Sequence, residues 1–247
     1  MRELYVVFDP EMLSQGFLAA KTAVVIDVLR ATSCMLTALA NGAARVKPVG
    51  EVDEARRLAA ELPSGSAVLG GERDGLQIDG FDLGNTPQEF RPEIVRGRTV
   101  VLTTTNGTRA ILMALPAERV YVAALVNVAA TARMLAKLGR GDVVLVGSGT
   151  QRRVSWEDTF CAGAIVERLA ANSPEGAWHL TDSALIALET WRAAKGNIDA
   201  ALRRGRGGWN VIRVGVDAAF ATCGAVDALD LVGRVHKEPL EIVAERM

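Results

Sequence analysis

The chain has 247 residues, 49% of them hydrophobic, enough to close at least one sizeable core without disulfides or a structural metal. Lys and Arg number 28 against 29 Asp and Glu, for a formal net charge of -1. This excludes an extended nucleic-acid or anionic-membrane surface and makes any anion site a local one.

Cys34, Cys161 and Cys223 are odd in number, far apart and set in apolar stretches, as expected of buried free thiols in a reducing compartment. The opening Met1-Arg2-Glu3-Leu4-Tyr5 lacks a signal-peptide pattern, and no window reaches the roughly 18 to 20 apolar residues that span a bilayer. A cytoplasmic location is expected.

Along the chain, short runs rich in Val, Ile and Leu recur at Leu4–Phe8, Ala23–Leu29, Val100–Leu102, Val120–Leu125 and Val143–Val146. Being apolar on both faces, they read as strands of a covered sheet. Helical patterns lie between them at Val52–Leu62 and Val128–Leu138, the second capped by Asn127 and ended by Gly139-Arg140-Gly141. Strands alternating with helices predict a layered α/β/α fold.

The sequence also matches itself at an offset of about 76 residues. Val24-Val25-Ile26-Asp27 aligns with Val100-Val101-Leu102-Thr103, and Leu36-Thr37-Ala38-Leu39 with Leu112-Met113-Ala114-Leu115. Each copy, about residues 20–97 and 98–175, predicts strand, helix, strand, helix, strand. A helical part follows, all in a single domain over residues 1–247. Two such halves would bring the loops after their first and third strands together, at the carboxyl edges where α/β sheets bind ligands. The linker-like stretches are Gly71–Gly84, Asn172–Gly176 and Arg203–Gly208.

Those loops hold the chemistry. In Asp27-Val28-Leu29-Arg30-Ala31-Thr32-Ser33 an apolar strand ends in an acid. A carboxylate there needs a metal, a cation or backbone donors, so Asp27 is a candidate Mg²⁺ ligand, against the alternative of an Asp27–Arg30 pair or a helix cap. Thr103-Thr104-Thr105-Asn106-Gly107-Thr108-Arg109 offers hydroxyls, a glycine and an arginine at a helix start, an anion cradle without the features of a nucleotide-binding loop. The loop Gly70–Pro87 carries Glu72, Arg73, Asp74 and Asp82. The stretch Ser155-Trp156-Glu157-Asp158 opens a helix, where acids are also ordinary complements of the helix dipole.

Other mechanisms lack their residues. His179 and His236 are the only histidines, too few and too poorly placed for a histidine phosphatase, a Ser-His-Asp hydrolase or a multi-histidine metal centre. No cysteine has the Cys-x5-Arg spacing of a thiol phosphatase. No second acid stands two positions after Asp27.

In these stretches the sequence resembles the 2-phosphosulfolactate phosphatase family: Val25–Thr32, Gly71–Gly75 with Gly80–Pro87, Leu102–Arg109, and Ser155–Asp158 through Cys161-Ala162-Gly163, with a weaker match at Gly215–Asp227. The resemblance implies a family-specific α/β fold and an Mg²⁺-dependent phosphatase that converts 2-phospho-3-sulfolactate to 3-sulfolactate and phosphate, on the route to coenzyme M. Trp156 and the pair Arg152-Arg153 depart from its pattern.

The expected site is then a metal held by a combination of Asp27, Glu72, Asp82, Glu157 and Asp158, one of these acids orienting water. Substrate is held by Arg30, Arg73, Thr104, Thr105, Asn106, Gly107, Thr108, Arg109 and Ser155. Arg73 or Arg153 would take a sulfonate or carboxylate. Attack by water and a covalent aspartyl-phosphate on Asp27 both remain open, as does a non-catalytic phosphate or sulfonate binder. A homodimer is the expected assembly.

Overall fold

The computed structural model describes residues 1–246. Its strands, in chain order, are β1 Arg2–Val7, β2 Thr22–Ile26, β3 Arg45–Pro48, β4 Ala67–Arg73, β5 Leu76–Gln77, β6 Thr99–Thr103, β7 Arg119–Ala123, β8 Val143–Gly147, β9 Trp178–Leu180, β10 Leu231–Lys237 and β11 Leu240–Arg246. The helices are α1 Ala31–Ala40, α2 Val52–Glu61, α3 Pro92–Val95, α4 Gly107–Ala114, α5 Val128–Lys137, α6 Trp156–Ala171, α7 Asp182–Ala194, α8 Ile198–Arg204, α9 Arg206–Arg213 and α10 Ala219–Cys223.

All strands join one sheet in the order β5-β4-β6-β3-β11-β10-β7-β2-β8-β1-β9. The block β4-β6-β3 is parallel, as is β7-β2-β8-β1-β9. The antiparallel hairpin β10–β11 stands between them, pairing with β7 on one side and with β3 on the other. The two blocks therefore run in opposite directions.

Alternation along each strand assigns side chains to layers. Ala23 and Val25 of β2 and Val100 and Leu102 of β6 face a core filled by Cys34, Met35 and Leu36 of α1 and Ala110 and Ile111 of α4. On the opposite face, Val24 and Ile26 pack with α5, α6 and α7, and Val101 packs with Ala55 of α2. Every residue of β2, β6 and β8 is buried, which is why these strands read as unbroken apolar runs. The layered α/β expectation holds.

The halves are interleaved rather than side by side. β6 of the second half lies between β4 and β3 of the first, and β2 of the first lies between β7 and β8 of the second. Exchanging β2, β3 and β4 with β6, β7 and β8, and β10 with β11, maps the order β4-β6-β3-β11-β10-β7-β2-β8 onto its own reverse. The centre of this exchange is the hairpin, formed by a C-terminal segment expected to be helical.

Two local expectations are corrected. Asn127 stands at the N-cap of α5 without capping it, because its Oδ1 accepts from Ala124 N at 3.0 Å and its Nδ2 donates to Leu231 O at 3.1 Å. Arg203–Gly208 is no linker but the end of α8 and the start of α9.

Gly233 in β10 shows how tightly the hairpin is seated: a Cβ there would lie 2.5 Å from Val122 Cγ2 and 3.2 Å from Ile242 Cγ2. Both contacts are β-branched side chains with little rotamer freedom. Gly233→Ala is expected to destabilise the chain by about 1–3 kcal/mol, lowering the melting temperature by roughly 3–10 °C. Calorimetry checks this, and an unchanged melting temperature would show that the hairpin does not lock the sheet.

Candidate active site

Asp27 follows the last residue of β2. Its backbone is clamped by Thr32, whose hydroxyl accepts from Asp27 N at 2.9 Å and lies 2.8 Å from Asp27 O and 2.7 Å from Ala123 O. The carboxylate stands at the start of α1, where Oδ1 accepts from Ala31 N at 3.1 Å. The start of α4 meets it there. A Cβ on Gly107 would lie 2.5 Å from Ala31 Cβ and 2.8 Å from Asp27 Oδ2, so only glycine lets the two helix N-termini, each an electropositive end, converge on one carboxylate.

Three further acids surround this junction. Glu72, at the end of β4, accepts from Thr105 N at 2.8 Å through Oε1 and from Gly75 N at 2.8 Å through Oε2, tying the turn before α4 to the turn after β4. Asp158, in the first turn of α6, accepts from Val28 N at 2.9 Å and from Ser148 Oγ at 3.0 Å. Glu157 is 1% exposed, and its Oε2 has no hydrogen-bond partner. It lies against Gly205 and Gly207 at the start of α9, where a Cβ on Gly207 would collide with its carboxylate.

Burial dominates the electrostatics. It pushes the Asp27 carboxyl up to about 6, with Glu72 adding to the rise and the Ala31 N–H, the Ser148 hydroxyl and Arg30 opposing it. Burial likewise pushes Glu157 up to about 7, reinforced by the charge of Asp27, and it raises Asp158 well above the carboxylate range, reinforced by Asp27 and Glu157. Desolvation is the common cause, and mutual repulsion adds to it.

The cleft above Asp27 has a volume of about 110 Å³ and is lined by three of the predicted loops, through Asp27, Leu29 and Arg30, through Thr104, Thr105 and Asn106, and through Glu72, Asp74 and Gly75, and by Thr150 and Gln151, whereas the fourth predicted stretch, Ser155–Asp158, does not line it. Asn85 also lines it, 5% exposed and with Oδ1 unpartnered. α9 closes one side with Gly207, Asn210, Val211 and Arg213. At the 10–15 Å³ that one water requires, this is space for a small polyoxyanion rather than a nucleotide.

Several expected residues do other work. Arg30 forms no ion pair with Asp27; it is 6% exposed and donates to Thr86 Oγ1 at 2.9 Å and to Gly75 O at 2.7 Å. Arg109 turns away from the cleft to Glu11 Oε1 at 2.7 Å and Ser148 O at 3.2 Å, and Arg73 is held by Glu72 O, Gly50 O and Thr103 Oγ1. Neither lines the cleft, nor does Arg153.

Asp82 is exposed on a separate surface groove, where its Oδ2 accepts from Leu69 N. Thr108 is buried against Thr104, and Ser155 caps α6 by accepting from Asp158 N at 3.2 Å. An arginine or a hydroxyl at a helix start reads as a ligand group in sequence, yet the same donors and acceptors serve the protein's own carbonyls and caps. The residues that sequence missed are Asn85, Thr150, Gln151, Asn210 and Arg213. The glycine cluster 205–208, which allows α9 to approach Glu157, was the available signal for the last two.

All three cysteines are free and buried, and burial raises each thiol above its ordinary value, which makes them packing groups rather than nucleophiles. Among the described residues no helix is long and apolar enough to cross a membrane.

An α/β scaffold that directs two helix starts and a set of desolvated carboxylates at one small cleft is built for an enzyme acting on a small anion. A model of the 2-phosphosulpholactate phosphatase family matches residues 7–238. Proteins named "Probable 2-phosphosulfolactate phosphatase" from Symbiobacterium thermophilum and Clostridium perfringens are similar to this chain, at 42% identity over 87% of it and 39% over 92%, each match covering 91% of the relative. One of the same name from Caldanaerobacter subterraneus is 48% identical over 62% of this chain and 63% of its own. The chain belongs to the 2-phosphosulpholactate phosphatase family.

The raised carboxyl of Glu157 makes the metal-free protein pH-sensitive in a definite direction. Its pKa of about 7 exceeds the ordinary 4.5, so between these values the folded state keeps a proton that the unfolded chain has released. Stability is then highest below about pH 4.5, falls as pH rises towards 7 and levels off beyond. In chelator, Glu157→Gln is expected to flatten the fall in melting temperature between pH 5 and pH 8. An identical slope in mutant and wild type would refute the burial of a strained carboxyl.

Proposed function

We propose that this chain hydrolyses a small acidic phosphate monoester, 2-phospho-3-sulfolactate, to 3-sulfolactate and phosphate on the route to coenzyme M. The observation that carries this is Asp27, a carboxylate facing a small cleft at the meeting point of two helix N-termini. Thr104, Thr105 and Asn106 at the start of α4, with the backbone N–H groups of the two first turns, supply donors for phosphoryl oxygens. Arg30 adds a fixed positive charge beside them.

The site suits a magnesium ion held by few carboxylates. Among the described residues no three His, Cys, Asp or Glu side chains gather as a metal cage, and both oxygens of Asp158 and of Glu72 are already engaged. Asp27 lines the cleft, and Glu157 Oε2 has no hydrogen-bond partner. Mg²⁺ commonly takes one or two carboxylates, with water and substrate phosphate completing its shell, which fits Asp27 in first place and Glu157 in second. A bound Mg²⁺ would neutralise charge on the phosphoryl group.

The remaining work falls to protein groups. Asp158 and Glu72 fix the turns that carry the donors. A phosphate monoester dianion needs charge neutralisation and alignment more than covalent chemistry. A carboxylate left free of the metal would orient the attacking water and take its proton.

Asp27→Asn is therefore expected to lower turnover at least about a hundredfold, since each ~1.4 kcal/mol of lost transition-state stabilisation is tenfold. The melting temperature in chelator should hold or rise at pH 8, because the amide removes a charge that burial disfavours. Comparing Mg²⁺-dependent rate with melting temperature tests this, and an active but destabilised variant would refute the assignment.

A further inference from the structure

The cleft has two arginines in its lining, and they differ in what they have left to offer. Arg30 is buried, and both of its terminal nitrogens donate to the protein, to Thr86 Oγ1 and Gly75 O. Arg213, at the last turn of α9, is exposed to the cleft. Its only hydrogen bond among the described residues is from Nη2 to Asp74 O at 3.1 Å; it forms no ion pair there, and its guanidinium lies at a distant 5.8 Å from the Trp209 ring centroid. Most other arginines of this region are spent: Arg203 on Asp199 and Asp217, Arg204 over the Trp156 ring, Arg109 on Glu11.

The placement of Arg213 is fixed from three directions. Its bond to Asp74 O joins α9 to the turn after β4, the same turn that Arg30 holds through Gly75 O. Val214 packs beside Gly75, where a Cβ would lie 3.2 Å from Val214 Cγ1. At the other end of the helix, Gly207 meets the buried Glu157 carboxylate with no room for a side chain. Asn210, one turn before Arg213, lines the same cleft, and among the described residues its side chain makes no hydrogen bond. Across the cleft, Asn85 Oδ1 is buried without a partner.

We propose that Arg213 and Asn210 form a second anion subsite, which receives the non-ester anionic substituent of the substrate, a sulfonate or a carboxylate, while the phosphoryl group sits over Asp27. This rests on the phosphatase function above and adds what selects the substrate. A guanidinium fork beside a carboxamide matches two oxygens of a planar or tetrahedral oxyanion. A subsite that binds a group remote from the reacting centre changes kcat/KM between substrates rather than the chemistry common to all.

The test compares four esters on the full chain with Mg²⁺: 2-phospho-3-sulfolactate, 2-phospholactate with the carboxylate alone, 2-phosphoethanesulfonate with the sulfonate alone, and isopropyl phosphate with neither. Arg213→Gln is expected to lower kcat/KM for at least one anion-bearing ester by at least about 30-fold more than for isopropyl phosphate, with Arg213→Lys intermediate and Asn210→Ala in the same direction. Whichever single-anion ester follows the full substrate identifies the group bound. A uniform loss over all four esters, or no selective loss, overturns the proposal. Should wild type hydrolyse none of them, the phosphatase function fails, and calorimetric titration with 3-sulfolactate and with inorganic phosphate decides the subsite alone. Arg213→Gln must then weaken 3-sulfolactate at least about tenfold more than phosphate, and equal affinities, or no binding of 3-sulfolactate to wild type, overturn it.

Discussion

The contact on which the site depends is the one between Gly107 and the pair Ala31 and Asp27. Two helices that begin at opposite-running strands can share one anion site only if their first turns touch, and a methyl group at Gly107 would force them apart. The touch places two electropositive helix ends around a carboxylate that would otherwise be an unsupported charge in a buried position. The Ala31 N–H holds that carboxylate from the α1 side while Thr32 clamps its backbone, and Gly107 admits α4 from the other.

The surrounding acids form a graded set. Glu72 and Asp158 have both oxygens engaged by donors and act as ties between loops, whereas Glu157 retains an oxygen without a partner and Asp27 faces the cleft. Placing like charges together out of water costs stability, and that cost is visible in the upward shifts of Asp27, Glu157 and Asp158. Such strain is common where a site must wait for a cation or a proton to complete it.

Much of this was legible in sequence. The doubly apolar runs became buried parallel strands, and three of the four polar loops line one cleft with Asp27 in it, while the fourth packs behind Asp27 through Asp158. What failed was partner choice. Arg109, Arg73 and Ser155 carry the right chemistry in the right loops, but whether a donor faces ligand or protein depends on a few ångströms of tertiary placement, and Glu11, Gly50 and the Asp158 amide reached them first. The interleaving of β2 and β6 was hidden for the same reason: periodicity tells which face a residue buries and not which strand lies beside it. Arg213 and Asn210 were missed because Gly205–Gly208 reads as a linker until Glu157 is seen against it.

The place of the β10–β11 hairpin bears on how the chain is made. It consists of residues between Leu231 and Arg246, after every other strand in chain order, yet it joins the two blocks of the sheet at their centre. Synthesis proceeds from the N-terminus, so the ribosome has emitted nearly every other strand before the segment that unites them exists. Until that segment emerges, the facing edges of β3 and β7 lack their neighbours, and open strand edges invite pairing with other chains. The nascent protein thus passes through a stage in which those two edges stay open until the hairpin fills the gap between them.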